Sequence, residues 1–188
     1  MIAPFLFPPV MPMMVREPIT WPGKWEDLRF TAHVDPATSK PDYSSTYFGY
    51  EMRNAQSDTL CYAVQFPHAW AYGGEIRPHV HVQVPDNNAG DIVWQSTYKW
   101  ANANTVFPAN TVTPVTKTIA ASSLGKHLVH SLTAIDGTGF NPSSMLLFCL
   151  ARLGADAADT YAASIYVMEF DIHYQVGRHG TAVEFGPD

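Results

Sequence analysis

From about residue 28 onward the chain is a succession of short runs, each stopped by turn-forming residues, and that pattern leaves few folds open to it. The runs cover roughly 28–34, 46–52, 59–66, 76–84, 91–100, 111–120, 127–135, 143–153 and 161–176. Between them stand PATSKPD, RNAQSD, AYGG, PDNNAG, DGTG and GADAAD. Gly, Pro, Asn and Asp supply the backbone angles and local hydrogen bonds that tight turns need. Strands at this spacing predict an all-β chain, an antiparallel β-sandwich or jelly roll of about 8–10 strands. No internal repeat or second domain is visible, and 188 residues can bury one apolar core without a metal or a crosslink.

Alternation assigns the faces. In DIVWQSTYKW, Ile92, Trp94, Tyr98 and Trp100 share one face, and Gln95, Thr97 and Lys99 the other. In SIYVMEFDIHYQV, the set Tyr166, Met168, Phe170, Ile172 and Tyr174 opposes Glu169, Asp171, His173 and Gln175. In IRPHVHVQV, the set Ile76, Val80, Val82 and Val84 opposes Arg77, His79, His81 and Gln83. Each strand has an apolar side and a polar side, as a sandwich with wet outer faces requires. Cys61 and Cys149 lie in the apolar runs TLCYAVQF and MLLFCLARL and read as buried free thiols acting as small hydrophobes. A disulfide between them requires Cα atoms within about 7 Å.

The first 24 residues differ from the rest. Pro4, Pro8, Pro9, Pro12, Pro18 and Pro22 punctuate Phe, Leu, Met and Val side chains. Proline fixes φ and removes a donor, so the segment is expected to be an extended arm outside any central strand. Prolines also break the apolar stretch that a signal peptide or a membrane span needs. The arm, residues 1–24, is therefore set apart from a β-sandwich domain at 25–188. Its apolar residues Pro4, Phe5, Phe7, Pro8, Pro9, Met11 and Met13 are expected to lie on a neighbouring subunit, where a stiffened segment loses less entropy on docking.

Charge narrows the partners. A net charge of −6 with 11 scattered basic residues gives no phosphate-binding patch, which excludes nucleic acid and an anionic membrane surface as expected partners. Aromatic content of 13% beside only 15% charged residues favours broad packed or interfacial surfaces. These features, with the arm, point to a homotrimer.

The sharpest local motif is PHVHV. Residues two apart on a strand point the same way, so His79 and His81 stand side by side on the polar face. Three readings compete: a solvent-facing pair, a metal site within one chain completed by Glu169, Asp171 or His173, and a metal or polar plug on a trimer axis. The two histidines also fit the first box of the cupins, metal-holding β-barrels, with Gly73 at the matching position. The glutamate of that box is missing, since Pro85 and Asp86 stand in its place. G-x-S-x-G, HExxH, CxxC and glycine-rich phosphate loops do not occur. Trp70, Tyr72, Trp94 and Trp100 read either as a sugar-stacking shelf or as core and interface anchors. No catalytic residue is assigned, and no cofactor is expected beyond a metal ion at His79 and His81.

The ordered string WEDLRF, FPHAW, IRPHVHVQV, VWQSTYKWANANTVFP and LARLGADAADTYAASIYVMEFDIHYQ resembles uncharacterised structural proteins of tailed bacteriophages and prophages over about Trp25 to Gln175. The resemblance implies a non-enzymatic virion component, made in the host cytoplasm and carried on the particle exterior. Within that class, the expected role is a trimeric decoration or cement protein on the major capsid protein. A receptor- or glycan-binding tail tip is the second role, and a cupin-like metal-binding enzyme the third.

Overall fold

A computed structural model describes residues 24–34 and 40–177 and shows an all-β chain. Its strands are β1 (Lys24–Arg29), β2 (His33–Val34), β3 (Tyr43–Ser44), β4 (Gly49–Met52), β5 (Ser57–Gln65), β6 (Ile76–Gln83), β7 (Gly90–Ala101), β8 (Thr111–Ile119), β9 (His127–Ser131), β10 (Met145–Leu153) and β11 (Ile165–Val176). A six-stranded sheet runs β3-β4-β11-β6-β9, with β1 also paired to β11, and a five-stranded sheet runs β2-β5-β10-β7-β8. All ladders between these strands are antiparallel. With the short β2, β3 and β4 set aside, the two sheets read β1-β11-β6-β9 and β5-β10-β7-β8, a jelly roll of eight principal strands. The arm residues Pro4, Phe5, Phe7, Pro8, Pro9, Met11 and Met13 lie outside the described residues.

The expected strands are present with instructive differences. The run 28–34 is two strands in two sheets, because the chain leaves β11 after Arg29 and joins β5 at His33. Between the sheets lie Leu60, Val64, Phe66, Trp70, Val80, Val82, Trp94, Phe148, Phe170 and Ile172, all essentially without solvent contact. Phe170 stacks on both Tyr62 and Phe148, which ties the two sheets together at mid-core.

Two readings are corrected. The β11–β6 register shifts between Val167 and Glu169. One extra residue there reverses the alternation. Val167 points into the core, and Tyr166, opposite Gln83, belongs on the outer face. The cysteines are not free thiols: Cys61 and Cys149 form a disulfide with Cα atoms 4.0 Å apart. Leu60, Tyr62, Phe148 and Leu150 take the inward positions of β5 and β10, so both cysteines face outward at directly opposed register positions.

An inward histidine gives the core a pH dependence. His130 of β9 is buried, and its Nδ1 accepts a hydrogen bond from Trp94 Nε1–H at 3.0 Å. Burial, helped by the Lys117 charge, lowers its pKa from 6.5 to about 4. Between those values the unfolded chain binds a proton that the folded chain refuses, so stability is full above pH 6.5 and falls as pH drops toward 4. The loss across that window is about 3 kcal/mol. His130→Gln keeps an acceptor for Trp94 and is expected to flatten this part of the urea midpoint–pH curve. Matching curves for both proteins would show that His130 does not carry the dependence.

Candidate functional site

The outer face of the six-stranded sheet gathers the titratable residues that alternation turned away from the core. β11 contributes Glu169, Asp171, His173 and Gln175, and β6 contributes Arg77, His79, His81 and Gln83. Register places His79 opposite Asp171, and His81 opposite Glu169. β1 brings Asp27 opposite His173 and Trp25 opposite Gln175, while β9 brings His127 opposite Gln83.

Asp171 lies at the centre. Its Oδ1 is 2.7 Å from His79 Nε2 and 3.4 Å from His81 Nε2, and its side chain is only 3% exposed. The approaches are not aligned as hydrogen bonds, and both Asp171 Oδ1 and His81 Nε2 are buried without a hydrogen-bond partner. His81 Nδ1 meets His127 Nε2 at 2.7 Å, and His79 Nδ1 is 3.4 Å from the Arg77 carbonyl oxygen. The His173 ring lies edge-on to His79 with centroids 4.0 Å apart, and His173 Nε2 pairs with Asp27 Oδ1 at 2.7 Å. Burial disfavours charge on His79, but the facing Asp171 carboxylate, the Arg77 carbonyl and Asp27 outweigh it, and its pKa is raised.

The structure therefore places His79 and His81 on the outer face, as their spacing predicts, yet corrects their surroundings. His79 is buried rather than solvent-facing, because neighbouring polar side chains cover it. Of the partners weighed from sequence, Asp171 converges on both histidines. Glu169 instead pairs with Arg29 at 3.3 Å, and His173 with Asp27. His127 and Asp27 were not singled out in the sequence, because their placement depends on β9 and β1 pairing with β6 and β11. The cupin-like arrangement gains no support, since Val80, Val82, Phe170 and Ile172 fill the space between the sheets behind the histidines.

Aromatic rings stand at both ends of this face. Trp25, 38% exposed, has the Arg77 guanidinium 4.5 Å from its ring centroid. At the other end Tyr47 stacks on Tyr166 with centroids 3.9 Å apart. The nine-residue step from Tyr166 to Gln175, the register partner of Trp25, separates the two ends by about 30 Å. Trp70, Trp94 and Trp100 form no shelf, since all three are buried. A separate groove of about 210 Å³ at the five-stranded sheet is lined by Tyr98, Lys99, Trp100, Thr111, Asp136 and Phe140.

No family profile and no curated protein matches the sequence. Among solved structures, the chain is similar to the C-terminal family 22 carbohydrate-binding module of Clostridium thermocellum Xyn10B, at 13% identity and a TM-score of 0.38, covering 85% of this chain and 90% of that one. It is also similar to TmCBM61 in complex with beta-1,4-galactotriose, at 11% identity and a TM-score of 0.35, covering 84% and 97% of the two chains. A third likeness is to the arabinose-bound MgGH51 α-L-arabinofuranosidase, at 10% identity and a TM-score of 0.35, covering 80% of this chain but 23% of that one. Likenesses at this level assign no ligand and no activity to this chain.

Proposed function

We propose that this chain is a receptor- or glycan-binding subunit of a tailed-phage particle, and that its ligand lies along the outer face of the six-stranded sheet. The observation that carries the reading is the make-up of that face. Aromatic rings stand about 30 Å apart at its ends, with solvated amides, imidazoles and carboxylates beside and between them (Gln83, His127, Glu169, His173 and Gln175). A pyranose ring presents a C–H face to an aromatic ring and hydroxyls, both donors and acceptors, to the groups beside it. Adaptable polar partners, and charged groups that already pair with one another, suit such a ligand better than a phosphate backbone, which demands clustered cations. The Cys61–Cys149 disulfide supports a working life outside a reducing cytosol. The virion setting rests on the sequence resemblance. A cement role on the capsid draws on the arm, and the outer face offers no continuous apolar surface for it.

The test is binding of the purified protein to an array of bacterial lipopolysaccharide, capsular and teichoic-acid glycans. Trp25→Ala and Tyr166→Ala are each expected to weaken the best binder by about 3- to 10-fold, while Phe107→Ala near the groove leaves it unchanged. An array without binders, or binding indifferent to both face variants, overturns the reading.

A further inference from the structure

The geometry points to a transition-metal site within one chain, formed by His79 Nε2, His81 Nε2 and Asp171 Oδ1. These three atoms lie within 4.8 Å of one another. A dication bound at about 2.1 Å by each donor needs donor separations of about 3.0 Å for octahedral and about 3.4 Å for tetrahedral angles. The 2.7 and 3.4 Å approaches to Asp171 Oδ1 fall close to that range. Two of the three atoms, Asp171 Oδ1 and His81 Nε2, are buried and lack a hydrogen-bond partner. Buried polar atoms are nearly always satisfied, and a cation between them would satisfy both.

The surroundings fit the same role. A ligating imidazole normally donates its other N–H to an acceptor that fixes the ring and directs the free lone pair at the metal. His81 Nδ1 faces His127 Nε2, and His79 Nδ1 faces the Arg77 carbonyl. Both Nε2 atoms are thereby directed toward Asp171. Two imidazoles and one carboxylate favour a first-row dication such as Zn²⁺, Co²⁺ or Fe²⁺ over Ca²⁺ or Mg²⁺ and leave positions open for water or a ligand oxygen. A second group, Asp27, Asp171 and His173, shares Asp171, but its His173 is already paired with Asp27. All three donors come from one chain, so no threefold axis is needed.

The experiment titrates chelator-treated protein with Co²⁺, followed by visible absorption, and then with Zn²⁺ in competition. One Co²⁺ per chain is expected, displaced by Zn²⁺ and not by excess Ca²⁺. His81→Gln and Asp171→Asn should each abolish the cobalt spectrum, and His127→Ala, which leaves all three donors in place, should weaken binding by about 10- to 100-fold. Gln175→Ala, opposite Trp25 at the far end of the face, should bind as the wild type does. Melting curves show which variants remain folded, and if the two ligand variants do not, the His127 and Gln175 pair decides. No cobalt spectrum in the wild type, or equal loss in Gln175→Ala and His127→Ala, overturns the site. The readout is the metal, so its failure leaves the proposed glycan face standing, and the converse also holds.

Discussion

Asp159→Ala is expected to destabilise the protein by about 3–5 kcal/mol, because it strands a guanidinium in the core. Arg152 ends the inward row of β10 and is 0% exposed. Its Nε and Nη2 donate to the two Asp159 carboxylate oxygens at 3.0 and 2.7 Å. The remaining donors reach the carbonyls of Met52 at 3.0 Å, Ala163 at 2.7 Å and Tyr161 at 2.6 Å. Arginine has five N–H donors, and here all five are used. Asp159 Oδ2 also accepts the Val93 amide at 3.1 Å. One ion pair thus joins β10, β7, the end of β4 and the connection into β11. Removing the carboxylate leaves a charge that water cannot reach, whereas Asp156→Ala in the exposed turn nearby should cost under about 1 kcal/mol. Thermal unfolding should show a drop of about 10 °C for Asp159→Ala. A drop of only one or two degrees would mean that the connection opens and solvates Arg152.

The second large effect concerns the crosslink. Cys61 and Cys149 are 88 residues apart in sequence. Closing a loop of that length restricts the unfolded chain enough to stabilise the fold by about 4–5 kcal/mol in the chain-entropy account. Both cysteines are only partly buried on the outer face of the five-stranded sheet, so a reductant reaches them in the folded protein. Urea unfolding with and without dithiothreitol should separate by that amount, and the Cys61→Ser/Cys149→Ser protein should match the reduced one without responding to dithiothreitol. Coincident curves for oxidised and reduced wild type would contradict the stabilising role.

The sequence made the strands and their faces legible because alternation is local: IRPHVHVQV alone orients His79 and His81. It also nominated Asp171 as a partner, conditional on β11 lying beside β6. Pairing itself was not legible, since it joins residues such as His79 and Asp171 across 92 positions of chain. The extra residue at Met168 was hidden because tyrosine and valine fit either face, so Tyr166 and Val167 look alike to a periodicity argument. The cysteines misled for a related reason. Their runs are apolar on both faces, and only the opposed register of β5 and β10 makes them meet. His130 sits in HLVHSL at an inward position between Leu128 and Leu132, and that alternation was the available signal for a buried histidine.

Amide chemical-shift mapping tests the ligand face most directly. The isotopically labelled protein is titrated with the glycan that binds best on the array. The predicted result is a continuous strip of shifted amides along β11, β6 and β1, strongest near Trp25, Gln83, Tyr166 and Gln175. Shifts confined to the groove around Tyr98, Trp100 and Phe140, or to the disulfide face of the five-stranded sheet, would contradict it.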